Sequence, residues 1–424
     1  MNESAMIIAG ESSGELYGSL LARALKNSYP DLHILGVGGE KMQMAGVELV
    51  SGIAGAFGLT ELFSALRDLK AAFRKTTEAI KKFMPAVVVL IDYPDFNLKV
   101  AEFAKSLGIK ILYYVSPQVW AWRKNRVKKI AHLVDRMAVV LPFEEEIYRK
   151  AGVLCEFVGH PIIEEIETVL QSANAFLPPF NSPLTKGGDR GVKVENIGAT
   201  DLRLTTDNLS LSSISPAVRT YFKTSLGFDP DQPLLSLLPG SRPHELKRLL
   251  PLVIEVVRQC KKEFRDYQFC IPLAPNTDEG KYGRFIDALE REGAVIKKGE
   301  SIRVLTASDI AVIASGTATL QAAFLEVPMI VIYKLSPFSY LLGRLLVDVQ
   351  HISLVNILSD RGVVPELLQQ KASPENIIGE MRKLMEDGSY RESMVESFRS
   401  IREPFMELRA SKRVAEIAGE VAGW

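Results

Sequence analysis

The apolar run Val87–Ile91 limits the possible folds more tightly than any other part of the chain. Its five residues are mostly β-branched and show no polar alternation, which predicts a strand buried on both faces. Asp92 and Pro94 end the strand, and the pattern after them predicts a helix over Asn97–Ser106 that Gly108 terminates. A strand followed by a helix in this way is the unit from which parallel sheets are built.

The same unit recurs along the chain. Strands are predicted over Met6–Ala9, Ile34–Val37, Ile111–Val115 and Ala138–Leu141 in the first half, and over Leu234–Leu238, Phe269–Pro272, Ile310–Ala314 and Met329–Tyr333 in the second. Alternation of strands and helices throughout predicts doubly wound parallel sheets. The second half repeats the architecture of the first without repeating its sequence. We therefore predict an α/β protein with two facing Rossmann-like domains and a ligand cleft between them.

A length of 424 residues suggests two or three domains. The pattern places an N-terminal domain at residues 1–170 and a second domain at 223–398. Residues 171–222 show poor periodicity and contain PPFNSPLTKGGDRG, which predicts an inserted linker or disordered segment. The helix-forming tail, residues 399–424, is predicted to pack back on the first domain.

Composition excludes several classes of protein. Net charge is formally zero, so no global field favours nucleic acid. The three cysteines form no CxxC pair, which fits a reducing compartment, and no N-terminal secretory signal is visible. No apolar run approaches the ~20 residues needed to span a bilayer. These features predict a cytoplasmic protein whose membrane contact, if any, is peripheral.

Asp92 is the candidate catalytic residue. Ligands of open α/β sheets bind at the carboxyl ends of the strands, and Asp92 directly follows such an end. An aspartate two residues before a proline is also a common turn former, so a purely local role stays open. The next predicted strand ends in SPQVWAWR, and Trp120 and Trp122 fit either the core or the site.

Two turns in the second half have the form of phosphate sites, because each follows a strand, contains glycine and opens a helix. The first turn contains Gly240, Ser241 and Arg242, and the second contains Ser315, Gly316 and Thr317. Backbone N–H groups there are expected to point at an anion, with Arg242 adding a bidentate contact. The structural alternatives to phosphate binding are a surface arginine at the first turn and simple helix capping at the second. Together the turns predict a clamp for a diphosphate.

The N-terminal loop GESSGELYG also joins a strand to a helix. It includes Gly10, Glu11 and Gly14 but lacks the lysine of a P-loop and the spacing of a dinucleotide site. Close strand–helix packing explains its glycines equally well.

No metal site is predicted. Asp229-Pro230-Asp231 precedes a strand, at the end of the sheet away from the ligand, and forms a proline turn. No histidines and cysteines have ligand spacing.

One predicted helix, within Phe57–Met84, has a basic face. Its cations are Arg67, Lys70, Arg74, Lys75, Lys81 and Lys82. A solvated face of a core-packed helix is one interpretation. The other is a patch that meets anionic lipid, and Phe63 on the basic side favours it.

Four stretches resemble the lipid-A-disaccharide synthase family: IDYPDFN, YYVSPQVWAWR, LPFEEEIYRKAGV and FVGHP. The resemblance implies the two-domain GT-B fold and an inverting, metal-independent glycosyltransferase that uses no cofactor. It implies UDP-2,3-diacylglucosamine as donor and 2,3-diacylglucosamine 1-phosphate as acceptor, giving a β-1,6 disaccharide and UDP. Such an enzyme would act at the cytoplasmic face of the inner membrane as a peripheral protein, and a homodimer is a further expectation.

The resemblance also implies residue roles. Asp92 is the expected catalytic base, Arg242 and Asn356 lie on the donor side, and the loop with Glu11 faces the acceptor. Gln321 stands on the donor side where the family usually has glutamate, so a working enzyme with weaker UDP-sugar binding is expected. Glu15-Leu16-Tyr17 and Val355 also depart from the family pattern.

Two other functions stay open from the sequence. The first is a UDP-sugar epimerase or hydrolase on the same scaffold, and the second is a non-catalytic nucleotide-sugar-binding protein. The epimerase or hydrolase needs further acids or histidines in the cleft, and the binding protein would be favoured by loss of Asp92, which is present.

Overall fold

Two parallel β-sheets organise the chain, one in each half. The computed structural model describes residues 4–10, 12–52, 62–120, 126–174, 214–336 and 350–424. The first sheet has the order β3-β2-β1-β4-β5-β6-β7. Its strands are β1 Ser4–Ala9, β2 His33–Gly38, β3 Glu48–Gly52, β4 Val87–Ile91, β5 Lys110–Tyr114, β6 Arg136–Val139 and β7 Cys155–Phe157.

Helices connect these strands. They are α1 Ser12–Ser28, α2 Glu40–Met44, α3 Leu62–Phe83, α4 Pro94–Ser106, α5 Arg126–Leu133, α6 Glu144–Lys150 and α7 Ile162–Asn174. All five residues of β4 are buried, as a strand covered on both faces requires.

The second sheet has the order β10-β9-β8-β11-β12-β13. Its strands are β8 Leu234–Leu238, β9 Gln268–Leu273, β10 Val295–Lys298, β11 Ile310–Ala314, β12 Met329–Tyr333 and β13 Glu366–Leu368. The helices are α8 Pro216–Ser225, α9 Pro243–Glu263, α10 Glu279–Arg291, α11 Ser301–Ala307, α12 Thr317–Phe324, α13 Leu354–Ser359, α14 Pro374–Glu386, α15 Gly388–Arg402 and α16 Ala410–Ala422.

Strand register brings the predicted site turns together. In the first sheet Ala9 pairs with Ile91 and Ile91 with Tyr114, so Gly10, Asp92 and the chain after β5 leave the same edge. In the second sheet Ile313 pairs with Leu238. The turns after β8 and β11 therefore lie side by side at the carboxyl edge, where ligands of this fold bind.

The predicted structureless segment is shorter than residues 171–222. Helix α7 continues to Asn174, and α8 begins at Pro216. Ser215 caps α8 by accepting a hydrogen bond from the N–H of Val218 at 3.4 Å, and Phe222 is buried. The sequence prediction is wrong at both ends because so short a helix shows little periodicity. Residues 175–213 lie outside the described part of the chain.

The C-terminal helix α16 lies on the first domain, against α1. Arg413 in α16 forms an ion pair with Glu156 in β7, with 2.9 Å between Nη2 and Oε2. The N–H of Ser411 donates to Oε1 of Glu164 in α7 at 2.8 Å. The chain thus crosses from the second sheet back to the first, which ties the two domains together at one end of the cleft.

Candidate active site

Asp92 lies at the carboxyl end of β4 in an unusual backbone conformation. Asp92 and Tyr93 both have positive φ, +46° and +47°. The carbonyl of Asp92 accepts hydrogen bonds from Nδ2 of Asn97 at 2.6 Å and from the hydroxyl of Tyr113 at 2.7 Å. Consecutive left-handed non-glycine residues are strained and persist only where the surroundings hold them. Asn97 and Tyr113 therefore fix the direction in which the half-buried Asp92 leaves the strand.

Gly10 brings the N-terminal loop beside this strand end. A Cβ at Gly10 would lie 2.1 Å from Cγ of Tyr93, so only glycine lets the Tyr93 ring approach. A Cβ at Gly14 would make ordinary contacts of 3.6 Å with Ala9 and Ile91. Close packing thus explains Gly10. Glu11 lies outside the described residues, so its acceptor-side role stays a prediction.

Tyr17 in α1 lies near Asp92, although the sequence analysis assigned it no role. Its ring is buried and meets His160 edge-on, with centroids 5.9 Å apart. Burial, and then the carboxylates of Glu165 and Asp92, raise the pKa of Tyr17 well above its ordinary value, and the hydroxyl of Thr317 lies within hydrogen-bonding reach. Tyr17 therefore marks the point where Asp92, α7 and the second phosphate turn converge.

Gln321 contacts the first domain directly. Its Nε2 donates to Oε2 of Glu165 in α7 at 3.0 Å, and its side chain is buried. Burial raises the pKa of Glu165, and the hydrogen bond from Gln321 opposes that rise. The carbonyl oxygen of Gln321 is the side-chain atom able to accept a hydrogen bond from a sugar hydroxyl. The predicted sugar contact needs that oxygen and stays a prediction.

The first phosphate turn is occupied by the protein's own carboxylate. Oε2 of Glu245 accepts the N–H groups of Ser241 and Arg242, each at 3.1 Å, and Oε1 lies 3.3 Å from Nη1 of Arg242. Gly240 has φ +95°, and a Cβ there would lie 2.3 Å from Oε2 of Glu245. The expectation that these two N–H groups point at a ligand is wrong, because a capping carboxylate three residues into the helix reaches back to them.

The second phosphate turn is more open. Gly316 is extended, and no atom of the described residues lies within 4 Å of a Cβ placed there. The hydroxyl of Ser315 donates to the carbonyl of Ile352 at 2.8 Å, so its proton is used within the protein. Thr317 begins α12 beside Tyr17. Lys334 follows the adjacent strand β12, and burial alone lowers its pKa, which indicates a partly desolvated cation near the turn.

Asn356 supports the loop behind this turn. Its Oδ1 accepts the N–H groups of Val363 and Val364, at 2.8 and 2.9 Å, and its Nδ2 donates to the carbonyl of Val364 and to Glu366. A side-chain amide has two donors and two acceptor positions, and all four are used. The direct donor contact expected of Asn356 is therefore corrected to a supporting role.

Trp120 packs within the first domain. Its ring meets Phe143 edge-on at 5.2 Å, and its Nε1 donates to the buried carboxyl of Glu144 at 3.1 Å. Trp122 lies outside the described residues.

Among the residues that the structure describes, no group of three or more histidine, cysteine or acidic side chains is placed to hold a metal ion, and no helix is long and apolar enough to cross a membrane.

The lipid-A-disaccharide synthetase family model matches residues 5–176 and 212–418. The chain belongs to this family. It is 37% identical over 415 residues to the lipid-A-disaccharide synthase of Syntrophus aciditrophicus (97% of this chain, 96% of the relative) and 38% identical over 413 residues to that of Nitrosococcus oceani (97% and 94%). The resemblance and the α/β class predicted from the sequence are confirmed.

Solved structures with low sequence identity share the fold. A UDP-GlcNAc 2-epimerase from Neisseria meningitidis matches with a TM-score of 0.62 and 12% identity, covering 98% of this chain and 100% of that one. A glycosyltransferase from Rickettsia africae matches with a TM-score of 0.52 and 12% identity, covering 99% and 98%. At this identity the likeness shows the two-domain fold alone, and the predicted GT-B architecture is confirmed.

Proposed function

We propose that this chain is a lipid-A-disaccharide synthase. It transfers 2,3-diacylglucosamine from UDP to 2,3-diacylglucosamine 1-phosphate and releases the β-1,6 disaccharide and UDP. Family membership over nearly the full length carries the proposal. The epimerase alternative shares the fold at 12% identity, whereas the synthase relatives share 37–38%.

The two domains contribute different groups to the proposed reaction, the base from the first and the diphosphate contacts from the second. Asp92 takes the proton from the acceptor's 6-hydroxyl as that oxygen attacks the anomeric carbon of the donor. The bond between this carbon and the diphosphate oxygen breaks on the opposite face, and its electrons leave with UDP. Inversion follows from this single in-line displacement.

The leaving diphosphate needs cations and N–H donors where its charge develops. Arg242 is exposed at the first phosphate turn, and its Nη1 lies 3.3 Å from Oε1 of Glu245. We assign it as the main clamp, with Lys334 and the open turn at Gly316 on the neighbouring strand ends. The carbonyl oxygen of Gln321 accepts a sugar hydroxyl of the donor, while its amide nitrogen donates to Glu165.

We also propose that α3 meets the membrane surface at the cytoplasmic face of the inner membrane. The six cations on its basic face are exposed, and Met84 at its end is 42% exposed. Phe63 lies in a part of α3 whose side chains are not described. Flotation with anionic vesicles, compared with neutral vesicles, tests this contact. The homodimer stays a prediction, which light scattering tests.

The decisive experiment incubates the protein with the UDP-sugar, with and without the acylated acceptor, and measures released UDP. Acceptor-dependent release with formation of the disaccharide is expected. Release without acceptor would instead indicate a hydrolase, and absence of release would indicate a binding protein.

A further inference from the structure

Glu144 is a buried carboxyl that the proposed reaction does not use. It is the first residue of α6, and it is 1% exposed. Its Oε1 accepts hydrogen bonds from the hydroxyl of Ser116 at 2.7 Å and from Nε1 of Trp120 at 3.1 Å. Within the described part of the chain Oε2 has no hydrogen-bond partner. A buried carboxyl with one unpartnered oxygen is costly and calls for an explanation.

The position of Glu144 relates it to Asp92. Strands β4, β5 and β6 are neighbours, and Asp92, Ser116 and Glu144 follow their three carboxyl ends. The N–H of Asp92 lies 3.2 Å from the carbonyl of Val115, the residue before Ser116. The hydroxyl of Tyr148 on α6 lies 3.4 Å from the carbonyl of Pro117. Helix α6 thus contacts the loop 116–120 through Glu144 and Tyr148. The residue before this loop, Val115, contacts the backbone of Asp92.

We propose that Glu144 is a positioning residue for Asp92, a second carboxyl that carries a proton in the resting enzyme and sets the basicity of Asp92 when that proton leaves. This inference rests on the proposed role of Asp92 as base. In the neutral acid the carbonyl oxygen Oε1 accepts the two donors from the loop, and the proton resides on Oε2. On ionisation the same two bonds hold the carboxylate, so the loop stays in place while a negative charge appears near Asp92.

The surroundings of Glu144 place its pKa near neutrality. Burial raises the pKa of Glu144 to about 7, against the opposing hydrogen bonds of Ser116, Trp120 and the Leu141 N–H, and Asp92 raises it slightly further. Among the described residues, Tyr148 on its own helix and Cys155 on β7 also face it, and burial raises their pKa values far above neutrality. Two carboxylates repel each other, so a negative charge on Glu144 makes Asp92 a stronger base.

The test is the pH profile of kcat at saturating substrates. Because a stronger base transfers the proton more easily, wild-type kcat is expected to rise about two- to fivefold through a step near pH 7. Glu144→Gln keeps an acceptor for Ser116 and Trp120 but cannot titrate, so its profile should lack the step. Glu146→Gln is the matched control, since Glu146 lies on the same helix, is exposed and pairs with Lys150. Its profile should match the wild type.

Ser116→Ala supplies a second measurement, the pH midpoint of the step in kcat. This midpoint should not change if Glu144 has only a structural role. Ser116 donates to Glu144 and so favours the charged form, and its removal should shift the step to higher pH. This variant decides the question if Glu144→Gln fails to fold. The inference is overturned if the step persists in folded Glu144→Gln, or if Ser116→Ala leaves its midpoint unchanged. A lack of acceptor-dependent UDP release by the wild type would instead refute the proposed function.

Discussion

At the residue scale, Asp92 and Tyr93 form a strained left-handed pair at the end of β4. Side chains from two other elements, Asn97 and Tyr113, both bind the carbonyl of Asp92. Strain that is held by this many contacts is typical of a functional position. The side chain it directs lies beside Tyr17, whose neighbours include a residue of the second domain. Asp92 therefore faces the cleft where donor and acceptor must meet.

Asp92→Asn should lower kcat by about 10²–10⁴-fold, the usual contribution of a positioned base, because asparagine cannot accept the hydroxyl proton. UDP affinity should stay unchanged, since the nucleotide is proposed to bind to the second domain. The measurements are steady-state kinetics and calorimetric titration of UDP. Asp95→Asn is the control, because Asp95 is exposed one turn away and pairs with Arg126. Turnover of Asp92→Asn within a few-fold of the Asp95 variant would remove Asp92 from the mechanism.

Arg242→Ala should weaken UDP binding by about 1.5–3 kcal/mol, the contribution of hydrogen bonds to charged groups, and should lower turnover as well. The turn itself should survive, because Glu245 keeps its bonds to the N–H groups of residues 241 and 242. Calorimetry with UDP checks the affinity. The exposed Lys247 on the same helix gives the control variant Lys247→Ala. Equal UDP affinities for the two variants would contradict the clamp assignment.

At the element scale, the strands most easily predicted were those buried on both faces. Val87–Ile91, Leu234–Leu238, Ile310–Ala314 and Met329–Tyr333 are observed with the predicted bounds, because a central strand needs an unbroken apolar run. The short strands β3, β7, β10 and β13 were missed. They have three to five residues and are only partly buried, so their pairing with a neighbouring strand decides their conformation.

The same limit applies to the site. Strand-end positions such as Asp92 and Arg242 were predictable, because a parallel sheet gathers its ligand-binding turns at one edge. The partners of those residues were not. Glu245, Glu165 and Glu366 take the hydrogen bonds of the predicted phosphate and donor groups, and which carboxylate reaches which amide depends on tertiary packing.

Asn356 shows how much such side-chain hydrogen bonds contribute to the stability of a loop. Asn356→Ala would leave two N–H groups, one carbonyl and one side of Glu366 without their bonds, so we expect a loss of about 2–4 kcal/mol of stability. Thermal unfolding without ligand measures this. Asn376→Ala is the control, since Asn376 is exposed and its side-chain amide donates to the carbonyl of Lys371. An unchanged unfolding midpoint in Asn356→Ala, with a raised KM for the donor, would restore a direct donor role.

At the scale of the whole molecule, the two domains meet at helix α7 of the first domain. Gln321 donates to Glu165 of this helix, and α16 contacts the same helix through Glu164. Helix α7 thus joins the proposed donor side to the first domain. A change at Gln321 is therefore expected to alter domain docking as well as any contact with the donor.

Gln321→Glu tests both roles together. Two carboxylates would then lie about 3 Å apart, and one keeps its proton in the folded protein. Glu165 already has a raised pKa, so the stability of the pair is present below the unfolded pKa and is lost as pH rises through the folded pKa. The single variant should therefore melt at a lower temperature than the wild type at pH 8, with a smaller difference at pH 5. Equal melting temperatures at pH 8 would show that the contact contributes nothing.

A double variant that exchanges the residues at positions 165 and 321 separates domain docking from donor binding. Combining Gln321→Glu with Glu165→Gln restores one donor and one acceptor across the cleft, so the melting temperature at pH 8 should recover. The carboxylate at position 321 can then accept a ribose hydroxyl of UDP with a charge-assisted bond, roughly twice as strong as a neutral one. We expect UDP to bind about 1 kcal/mol more tightly to the double variant than to the wild type, somewhat under tenfold in Kd. Recovered stability with unchanged or weaker UDP binding would leave residue 321 a role in domain docking and remove it from the nucleotide site.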